Sequence, residues 1–262
     1  MSRSGGLREA LKAGQVLVGG WIQIPHPAVA ELLASSGLDW VAVDVEHGAI
    51  SLPESAQLFR AISACGSVPL VRLPGNEYPV TKRYLDAGAM GAIAPFINTR
   101  EDAEQLVRCV KYPPLGARGA GYCVANRFGF EFADYFARAN DEILTCVQIE
   151  HITAIENLDE ILAVPEVDAA FIGPYDLTAS MGITGEFDHP QYKRALERFL
   201  HCCQEQRVAA GTHVVQPNPQ EVVARAEEGY RLIAYSLDVT LLGTACRTGV
   251  AQIRSALGRR PE

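Results

Sequence analysis

Three titratable side chains follow directly on an apolar run in the stretch VAVDVEHGAI. Residues 40–43 have the composition of a buried strand, and Asp44, Glu46 and His47 come within the next four positions. Two carboxylates beside an imidazole, which titrates near neutrality, are suited to proton transfer. Strands also end in charge simply because they end at the surface. The stretch therefore predicts either the rim of an active site or a solvated strand end.

An arginine ends a second apolar run, in PLVRLPG. Arg72 is permanently charged, and its guanidinium should project from the edge of the core. It either pairs with Asp44 or Glu46 or holds an anionic substrate. Both alternatives place it on the same rim as the acids.

Two further carboxylates lie at the ends of other apolar runs. Gln148 and Glu150 lie in VQIE, and Asp176 lies in FIGPYDL. Two carboxylates, with water in the remaining positions, suit Mg²⁺ or Mn²⁺, whereas a catalytic zinc site would need more clustered histidines. Each acid alone has an ordinary alternative, as a salt-bridge partner or, for Asp176, as a helix N-cap. Together with Arg72 and His47 on one rim, they predict a metal site.

The positions of the lysines and of the remaining histidines limit which reaction mechanisms are expected. No lysine lies at a predicted strand end, so an imine-forming mechanism is not expected and carbonyl activation must come from the metal. His213 is a second, weaker candidate for a base, and His26 is a candidate to line the pocket. The other histidines are expected in loops or on helix surfaces: His151, His189 and His201.

Eight apolar runs must position these residues, and they alternate with amphipathic stretches. The predicted strands are 16–23, 40–46, 68–73, 91–97, 145–150, 169–174, 208–215 and 231–237. Eight strands, each followed by a helix, predict a single α/β domain over residues 1–262, a (β/α)₈ TIM barrel. The alternative, an open doubly wound sheet, would usually carry a glycine-rich turn after the first strand, and IPHPAV is not one. In a barrel the carboxyl ends of the strands meet, so the rim residues converge on one mouth.

Two segments are expected to make contacts outside the barrel. The long connection between residues 113 and 144 contains Arg118, Arg127 and a predicted short helix around FADYFARA. Segments of this length are often lids or subunit contacts. The C-terminal helix, 239–257, is a candidate to pack on a neighbouring subunit.

Bulk composition bounds the function. The chain has 262 residues, of which 48% are hydrophobic, and a net charge of −8, which disfavours a general nucleic-acid binder. No apolar run approaches the ~20 residues of a membrane helix. The N-terminus lacks the apolar core of a signal peptide, and seven cysteines without a CxxC pair do not suggest a disulfide framework. We expect a cytoplasmic protein that binds neither membrane nor nucleic acid.

An ordered set of motifs spans nearly the whole chain: WVAVDVEHG, PLVRLPGNE, KRYLDAGAMGAIAPFI, YPPLGARG, VQIE and FIGPYDLTASMG. In this order they resemble the metal-dependent (class II) pyruvate aldolases typified by 4-hydroxy-2-oxoheptanedioate aldolase and 2-dehydro-3-deoxyglucarate aldolase. The resemblance implies an enzyme that cleaves or forms 4-hydroxy-2-oxo acids, with pyruvate or a close 2-oxo acid and an aldehyde as the other partners. It also implies a bound Mg²⁺, Mn²⁺ or Co²⁺ that stabilises an enolate.

The resemblance assigns roles to the rim residues. Glu150 and Asp176 would bind the metal, and Arg72 would hold the 2-oxo oxygen and the developing enolate. His47, with nearby acids that include Asp44, would handle the proton of the C4 hydroxyl. Whether His47 or a metal-bound water is the base stays open.

The same resemblance implies a substrate-binding set. Gln148 would lie beside the metal or the substrate, and the amides around Gly173, Pro174 and Tyr175 would hold the substrate carboxylate. Trp21, on the first strand, is also expected to contact the substrate.

One acid far from the rim belongs to this implied site. Asp86, in KRYLDAGAMG, is expected in the last turn of a helix, where an acid opposes the helix dipole. It is either a solvated helix end or, as the resemblance implies, a catalytic residue that reaches the site of a neighbouring subunit near His47. The second interpretation predicts a homo-oligomer, a trimer or hexamer.

Three departures from the family pattern affect the substrate. Tyr175 stands where a small residue is usual, EHGAI replaces an EHAPN type of loop, and His213 stands where the family is often apolar. Three other functions remain open. They are an acyl-CoA lyase of the citryl or malyl type, a decarboxylating or carbon–carbon-forming relative that uses the same enolate, and a non-catalytic barrel that binds a small acid.

Overall fold

Eight parallel strands close into a barrel in chain order in the computed structural model, which describes residues 6–258. The strands are β1 Leu17–Ile22, β2 Trp40–Asp44, β3 Val68–Arg72, β4 Gly91–Ala94, β5 Leu144–Ile149, β6 Ala169–Ile172, β7 Ala209–Val214 and β8 Leu232–Leu237. All eight predicted strands are confirmed, and so is the (β/α)₈ barrel. Several predicted strands ran past the observed ends by one to three residues, and those residues form the mouth.

Helices separate the strands and form the outer layer. They are α1 Leu7–Lys12, α2 Pro27–Ser35, α3 Leu52–Ala64, α4 Tyr78–Asp86, α5 Arg100–Val110, α6 Phe132–Glu142, α7 Ile152–Glu156, α8 Leu158–Leu162, α9 Pro174–Ser180, α10 Pro190–Gln206, α11 Pro219–Glu228 and α12 Asp238–Ala256. Proline lies in the first turn of six of them, where its missing N–H is not needed. Ser51 and Glu54 form a capping box at the start of α3, in which each side chain accepts a hydrogen bond from the backbone amide of the other residue. This cap fixes the point at which the loop after β2 ends and α3 begins.

Large side chains fill the barrel interior below the mouth. Trp21, Trp40 and Phe171 are buried there, and the Trp21 ring meets the other two edge-on, with centroids 5.9 and 5.4 Å away. Gly19 makes room for Trp40, because a Cβ at position 19 would lie 2.0 Å from the Trp40 ring. The interior is therefore a packed core, and ligands must bind at its mouth.

A buried ion network closes the opposite end of the barrel. Arg8 binds the carboxylates of Asp168 and Glu166 and donates to the Asn140 carbonyl at 2.8 Å. The Lys111 ammonium is fully buried beside them, where burial lowers its pKa to about 8. The Lys111 side chain is therefore at the end of the barrel opposite the strand carboxyl ends.

The long connection forms two short helices. A 3-10 helix spans Val124–Gly129 and α6 follows, so the predicted helix around FADYFARA is confirmed. Four aromatic residues of this segment are exposed: Tyr122, Phe128, Phe130 and Phe136. Apolar side chains of the C-terminal segment are exposed too, at Val239, Leu242, Val250, Ile253 and Leu257. Over residues 6–258 no helix is both long and apolar enough to cross a membrane.

Candidate active site

The last residues of β2 and β3 form a forked ion pair at the mouth. Asp44 and Arg72 are register partners, with Nε to Oδ1 at 2.9 Å and Nη2 to Oδ2 at 2.6 Å. Gln23 donates to the same carboxylate at 2.7 Å, and the backbone amides of Glu46 and His47 donate to it at 3.2 Å. Burial raises the pKa of Asp44, but the bonds and the charge of Arg72 outweigh it, and the net pKa is below its usual value. Asp44 is thus an ionised anchor for Arg72 and for the loop after β2.

Glu46 is the carboxylic acid of this rim whose pKa is raised to near neutrality. The sequence analysis placed Glu46 on the rim but did not predict it as a catalytic residue. Its side chain is 9% exposed, and Oε2 lies 3.4 Å from Arg72 Nε without a hydrogen bond. Burial raises its pKa to about 7 against the lowering effect of Arg72, with Glu150, Asp44 and Asp176 adding to the rise. A carboxylic acid that titrates near neutrality is suited to general acid–base chemistry.

His47 lies on the outer, solvent-exposed side of the rim. Its side chain is 58% exposed, and its Nε2 is 3.9 Å from Oε2 of Glu46. The imidazole therefore lies between the buried acid Glu46 and solvent. A proton could pass between His47 and a bound substrate either by way of Glu46 or directly across the open mouth.

Glu150 lies on the other side of the mouth, directly after β5. Its carboxylate accepts hydrogen bonds from Gln148 Nε2 and, at 2.7 Å, from the amide of Phe96. Burial raises the pKa of Glu150 despite these bonds, and Asp176 raises it further. Phe96 adopts a left-handed backbone conformation (φ 54°), a strained arrangement that aims its amide at the carboxylate.

The Glu150 and Asp176 pair fits a hard divalent cation. Two carboxylates close enough to disfavour each other's charge are relieved by a bound cation. Among residues 6–258 no group of three or more His, Cys, Asp or Glu side chains is arranged to hold a metal. A cation held by Glu150 and Asp176 would therefore have two carboxylate groups as protein ligands and would leave its other positions to water or substrate, an arrangement that suits Mg²⁺.

The GPYD turn between β6 and α9 shapes the floor of this site. Gly173 packs against Glu150, because a Cβ there would lie 2.8 Å from the Glu150 Cβ. Its amide bonds the Ile149 carbonyl at 3.0 Å, and Pro174 has no N–H. Of the three residues predicted to hold the substrate carboxylate through their amides, Pro174 has no N–H to donate and Gly173 already donates its own, so the prediction now depends on Tyr175. The Tyr175 ring is 54% exposed and packs edge-on against Phe187 at 5.0 Å.

Four buried polar atoms around the mouth have no hydrogen-bond partner among residues 6–258. They come from four different strands or strand ends: Trp21 Nε1, Glu46 Oε2, Gln148 Oε1 and His213 Nε2. Trp21 also carries the Arg72 guanidinium over its ring at 4.6 Å and meets the His213 ring edge-on at 5.9 Å. Buried polar groups are normally paired, so this cluster indicates a site that a polar ligand completes.

Asp86 is separate from these residues within one chain. It ends α4, and its carboxylate binds Lys82 and the buried guanidinium of Arg118, the latter at 2.8 Å. Arg118 lies over the Tyr112 ring at 4.6 Å. These two cations offset the unfavourable interaction between Asp86 and the helix dipole. A solvated helix end, the ordinary alternative for Asp86, does not describe this paired carboxylate.

The mouth of this closed barrel thus brings together an arginine, an acid whose pKa is raised to about 7 and a pair of carboxylates. The chain belongs to the HpcH/HpaI aldolase/citrate lyase family, whose model matches residues 17–245. It is accordingly a carbon–carbon lyase of the aldolase type.

Two curated relatives and one solved structure are similar over almost the whole chain. The hydroxypyruvate/pyruvate aldolase of Roseobacter denitrificans is 34% identical over 90% of this chain and 91% of its own length. The 2-keto-3-deoxy-L-rhamnonate aldolase of Escherichia coli is 35% identical over 95% and 92%. The crystal structure of an HpcH/HpaI aldolase from Desulfitobacterium hafniense has a TM-score of 0.91 and 33% identity over 98% of this chain and 100% of that one.

Proposed function

We propose that this aldolase uses a divalent metal to cleave or form 4-hydroxy-2-oxo acids, with pyruvate or a close 2-oxo acid and an aldehyde as the other partners. The observation that carries the proposal is the pair formed by the buried Glu150 and the exposed Asp176, at the same mouth as the Arg72 fork. Members of this family generally depend on a divalent metal. Mg²⁺, Mn²⁺ and Co²⁺ all suit the oxygen donors. When bound, the cation would polarise the 2-oxo group and favour the enolate.

Arg72 acts on the same oxygen in this proposal. Its Nε and Nη2 are held by Asp44, so the Nη1 edge of the guanidinium is left for the 2-oxo oxygen. The stack on Trp21 fixes the plane of the guanidinium. A preorganised cation stabilises negative charge as it develops on this oxygen, and the arrangement does not have to reorganise during the reaction.

Glu46 and His47 handle the proton. In the cleavage direction the C4 hydroxyl loses its proton as the C3–C4 bond breaks, and the aldehyde leaves. Glu46 is buried and titrates near neutrality, while His47 is in contact with solvent 3.9 Å away. We assign the proton transfer at the substrate to Glu46 and the proton exchange with solvent to His47. The sequence alone had left either His47 or a metal-bound water as the base.

The test is metal removal combined with imine trapping. A chelator should abolish cleavage of a 4-hydroxy-2-oxo acid, and Mg²⁺, Mn²⁺ or Co²⁺ should restore it. Borohydride added with pyruvate should leave the protein mass unchanged, since the buried Lys111 lies at the far end of the barrel. Full activity of metal-stripped protein, or a stable pyruvyl adduct, would contradict the proposal.

An acyl-CoA lyase is the less favoured alternative. Coenzyme A phosphates need uncompensated cations near the mouth, and the cavity of about 710 Å³ beside Tyr175 and His213 is lined by Lys193 and Arg225. Lys193 pairs with Asp188 at 2.9 Å and Arg225 with Glu228 at 2.8 Å. These partners neutralise the two cations, so the lining favours a small substrate.

We further propose a cytoplasmic homo-oligomer, a trimer or hexamer, with α12 packed on a neighbouring subunit. The exposed apolar side chains of the C-terminal segment and the exposed aromatic residues of the 113–144 connection support this assembly, since exposed apolar patches mark interaction sites. The cysteines are all unpaired, in keeping with a reducing compartment. The paired carboxylate of Asp86 would lie in the shared interface and orient His47 of the next subunit.

A further inference from the structure

The first residue of α12 is hydrogen-bonded to the loop that follows β1. Asp238 comes directly after β8 and is 4% exposed. Its Oδ1 accepts a hydrogen bond from the amide of Gln23 at 3.0 Å, and its Oδ2 accepts one from the amide of Ile24 at 2.8 Å. The amide of Val239 also donates to Oδ1, at 2.8 Å. Both carboxylate oxygens are thus in use, and two of the three bonds hold the loop after β1.

An irregularity in β8 precedes Asp238. The pairing of β1 with β8 shifts register between Gly19 and Trp21, where β8 has one residue more than β1. Ser236, within the longer interval, has a left-handed backbone conformation (φ 62°). An extra residue of this kind bends a strand and re-aims the side chains beside it. A strained backbone persists where its surroundings over-determine it, and the bonds of the Asp238 carboxylate provide such contacts.

The side chain of Gln23 extends this contact to the arginine of the mouth. Its Nε2 donates to Asp44 Oδ2 at 2.7 Å, and the same oxygen accepts a hydrogen bond from Arg72 Nη2 at 2.6 Å. Asp238 therefore holds the backbone of Gln23, whose side chain in turn holds Asp44. A continuous series of hydrogen bonds runs from the start of α12 to the guanidinium.

The direction of the Arg72 guanidinium depends on the plane of the Asp44 carboxylate. Two parallel hydrogen bonds keep a guanidinium and a carboxylate in one plane, so a rotation of the carboxylate turns the guanidinium with it. The amides of Glu46 and His47 hold Oδ1 of this carboxylate. Gln23 holds Oδ2, and the two oxygens together fix the plane.

We propose that Asp238 is a positioning residue, which sets the direction of the Arg72 guanidinium through Gln23. The inference rests on the proposed function, in which that guanidinium holds the 2-oxo oxygen. Asp238 begins α12, the helix that we place at a subunit interface, so the same hydrogen bonds connect that helix to the mouth.

A double-mutant cycle with pyruvate and a divalent metal tests this inference. Exchange of the methyl hydrogens of pyruvate with deuterium from solvent, followed by NMR, reports enolate formation. Asp238→Asn keeps the shape of the side chain but leaves one acceptor oxygen for three amides, and Gln23→Met removes the donor to Asp44.

Each single variant should lower the kcat of exchange by about ten- to a hundredfold. Misplacement of a catalytic group by about 1 Å costs up to about 10² in rate. KM should change little, because Arg72 acts on charge that develops in the transition state.

The double variant distinguishes a positioning role from a structural one. If Asp238 acts through Gln23, Asp238→Asn should lower kcat little further in the Gln23→Met background, while it still lowers the midpoint of thermal unfolding. Asn218→Ala is the matched control, because the Asn218 side chain also accepts two backbone amides at the start of a helix. This control should lower the thermal midpoint and leave kcat near normal.

Two results would overturn the assignment of Asp238 while wild-type exchange upholds the proposed function. One is a normal kcat in Gln23→Met, and the other is an equal fall of kcat for Asp238→Asn with and without Gln23. If the wild-type enzyme exchanged no hydrogen with Mg²⁺, Mn²⁺ or Co²⁺ present, the proposed function itself would fail, and this inference with it.

Discussion

At the scale of single residues, the site depends on the contacts that three side chains make with Arg72. Asp44 binds the Arg72 guanidinium through two hydrogen bonds, and the guanidinium stacks on the Trp21 ring. The Glu46 carboxylate lies 3.4 Å from Arg72 Nε. In the proposed function, these contacts preorganise the cation for the 2-oxo oxygen. The two alternatives left open by the sequence, a partner for the acids or an anion clamp, are therefore compatible.

Substitution of Arg72 tests this role. Arg72→Ala should reduce kcat by a factor on the order of 10²–10³, as expected for loss of one preorganised oxyanion donor. Arg72→Lys should restore only part of the rate, because an ammonium cannot reproduce the fork. Arg100→Ala, which removes an exposed pair with Glu104, is the control and should be near normal. Near-normal turnover of Arg72→Ala, with an unchanged circular dichroism spectrum, would reduce Arg72 to a structural ion pair.

The pKa of Glu46 makes stability depend on pH. Burial raises it from 4.5 to about 7 in the folded protein, so folding favours the protonated acid. The stabilisation from this group is complete below about pH 4.5 and is lost as the pH rises through about 7. For metal-free protein we expect the free energy of unfolding of wild type, relative to Glu46→Gln, to fall by at most about 3 kcal/mol between pH 4.5 and 8.

Urea denaturation at several pH values measures this difference. Glu104→Gln, at an exposed position on α5, should show no comparable change relative to wild type. Parallel stability curves for wild type and Glu46→Gln would mean that folding does not raise the pKa of Glu46.

At the scale of elements, the strand pattern predicted where the rim residues would meet but not how they interact. Asp44, Arg72, Gln148, Glu150 and Asp176 were placed correctly, because the ends of parallel strands converge whatever their side chains. Periodicity cannot show where the hydrogen-bond ladder stops, so several strands were drawn too long. The raised pKa of Glu46 was not predictable either, since it results from burial together with charges on β3, β5 and α9.

Gly19 tests the packing of the barrel interior. Gly19→Ala places a methyl group 2.0 Å from the Trp40 ring, which is fixed by its neighbours, so the variant should lose on the order of 3 kcal/mol of stability. Gly20→Ala is the matched control on the same strand, because its Cβ would lie 3.4 Å from Leu38, an ordinary contact. Thermal unfolding of both variants measures the difference. Equal stability would show that the interior can rearrange around Trp40.

At the scale of the whole molecule, Asp86 connects the catalytic proposal to assembly. It is paired within its own chain with Lys82 and Arg118, and it makes no described contact with the mouth. The sequence could not reveal this pairing, because Arg118 reaches it from a connection with no regular pattern. A catalytic role for Asp86 therefore requires a second subunit.

Subunit mixing tests that requirement. Asp86→Asn and Arg72→Ala proteins should each be inactive, and unfolding and refolding them together should recover activity. Some mixed interfaces would then pair an intact mouth with an intact Asp86. Asp86→Asn is preferred to alanine because it leaves a polar partner for the buried Arg118. Re-formed oligomers that stay inactive at every mixing ratio would rule out a shared site.

The two tryptophans of the chain give the mouth its own optical signal. Trp21 and Trp40 are the only ones in the sequence, and both lie in the barrel interior with their rings in edge-on contact. Trp21 also touches the guanidinium and imidazole groups that flank the site. Intrinsic emission therefore comes from one small volume, and quenching by a bound oxo acid reports occupancy of the mouth without a label. Motions of the outer helices, which carry no indole, leave that emission unchanged.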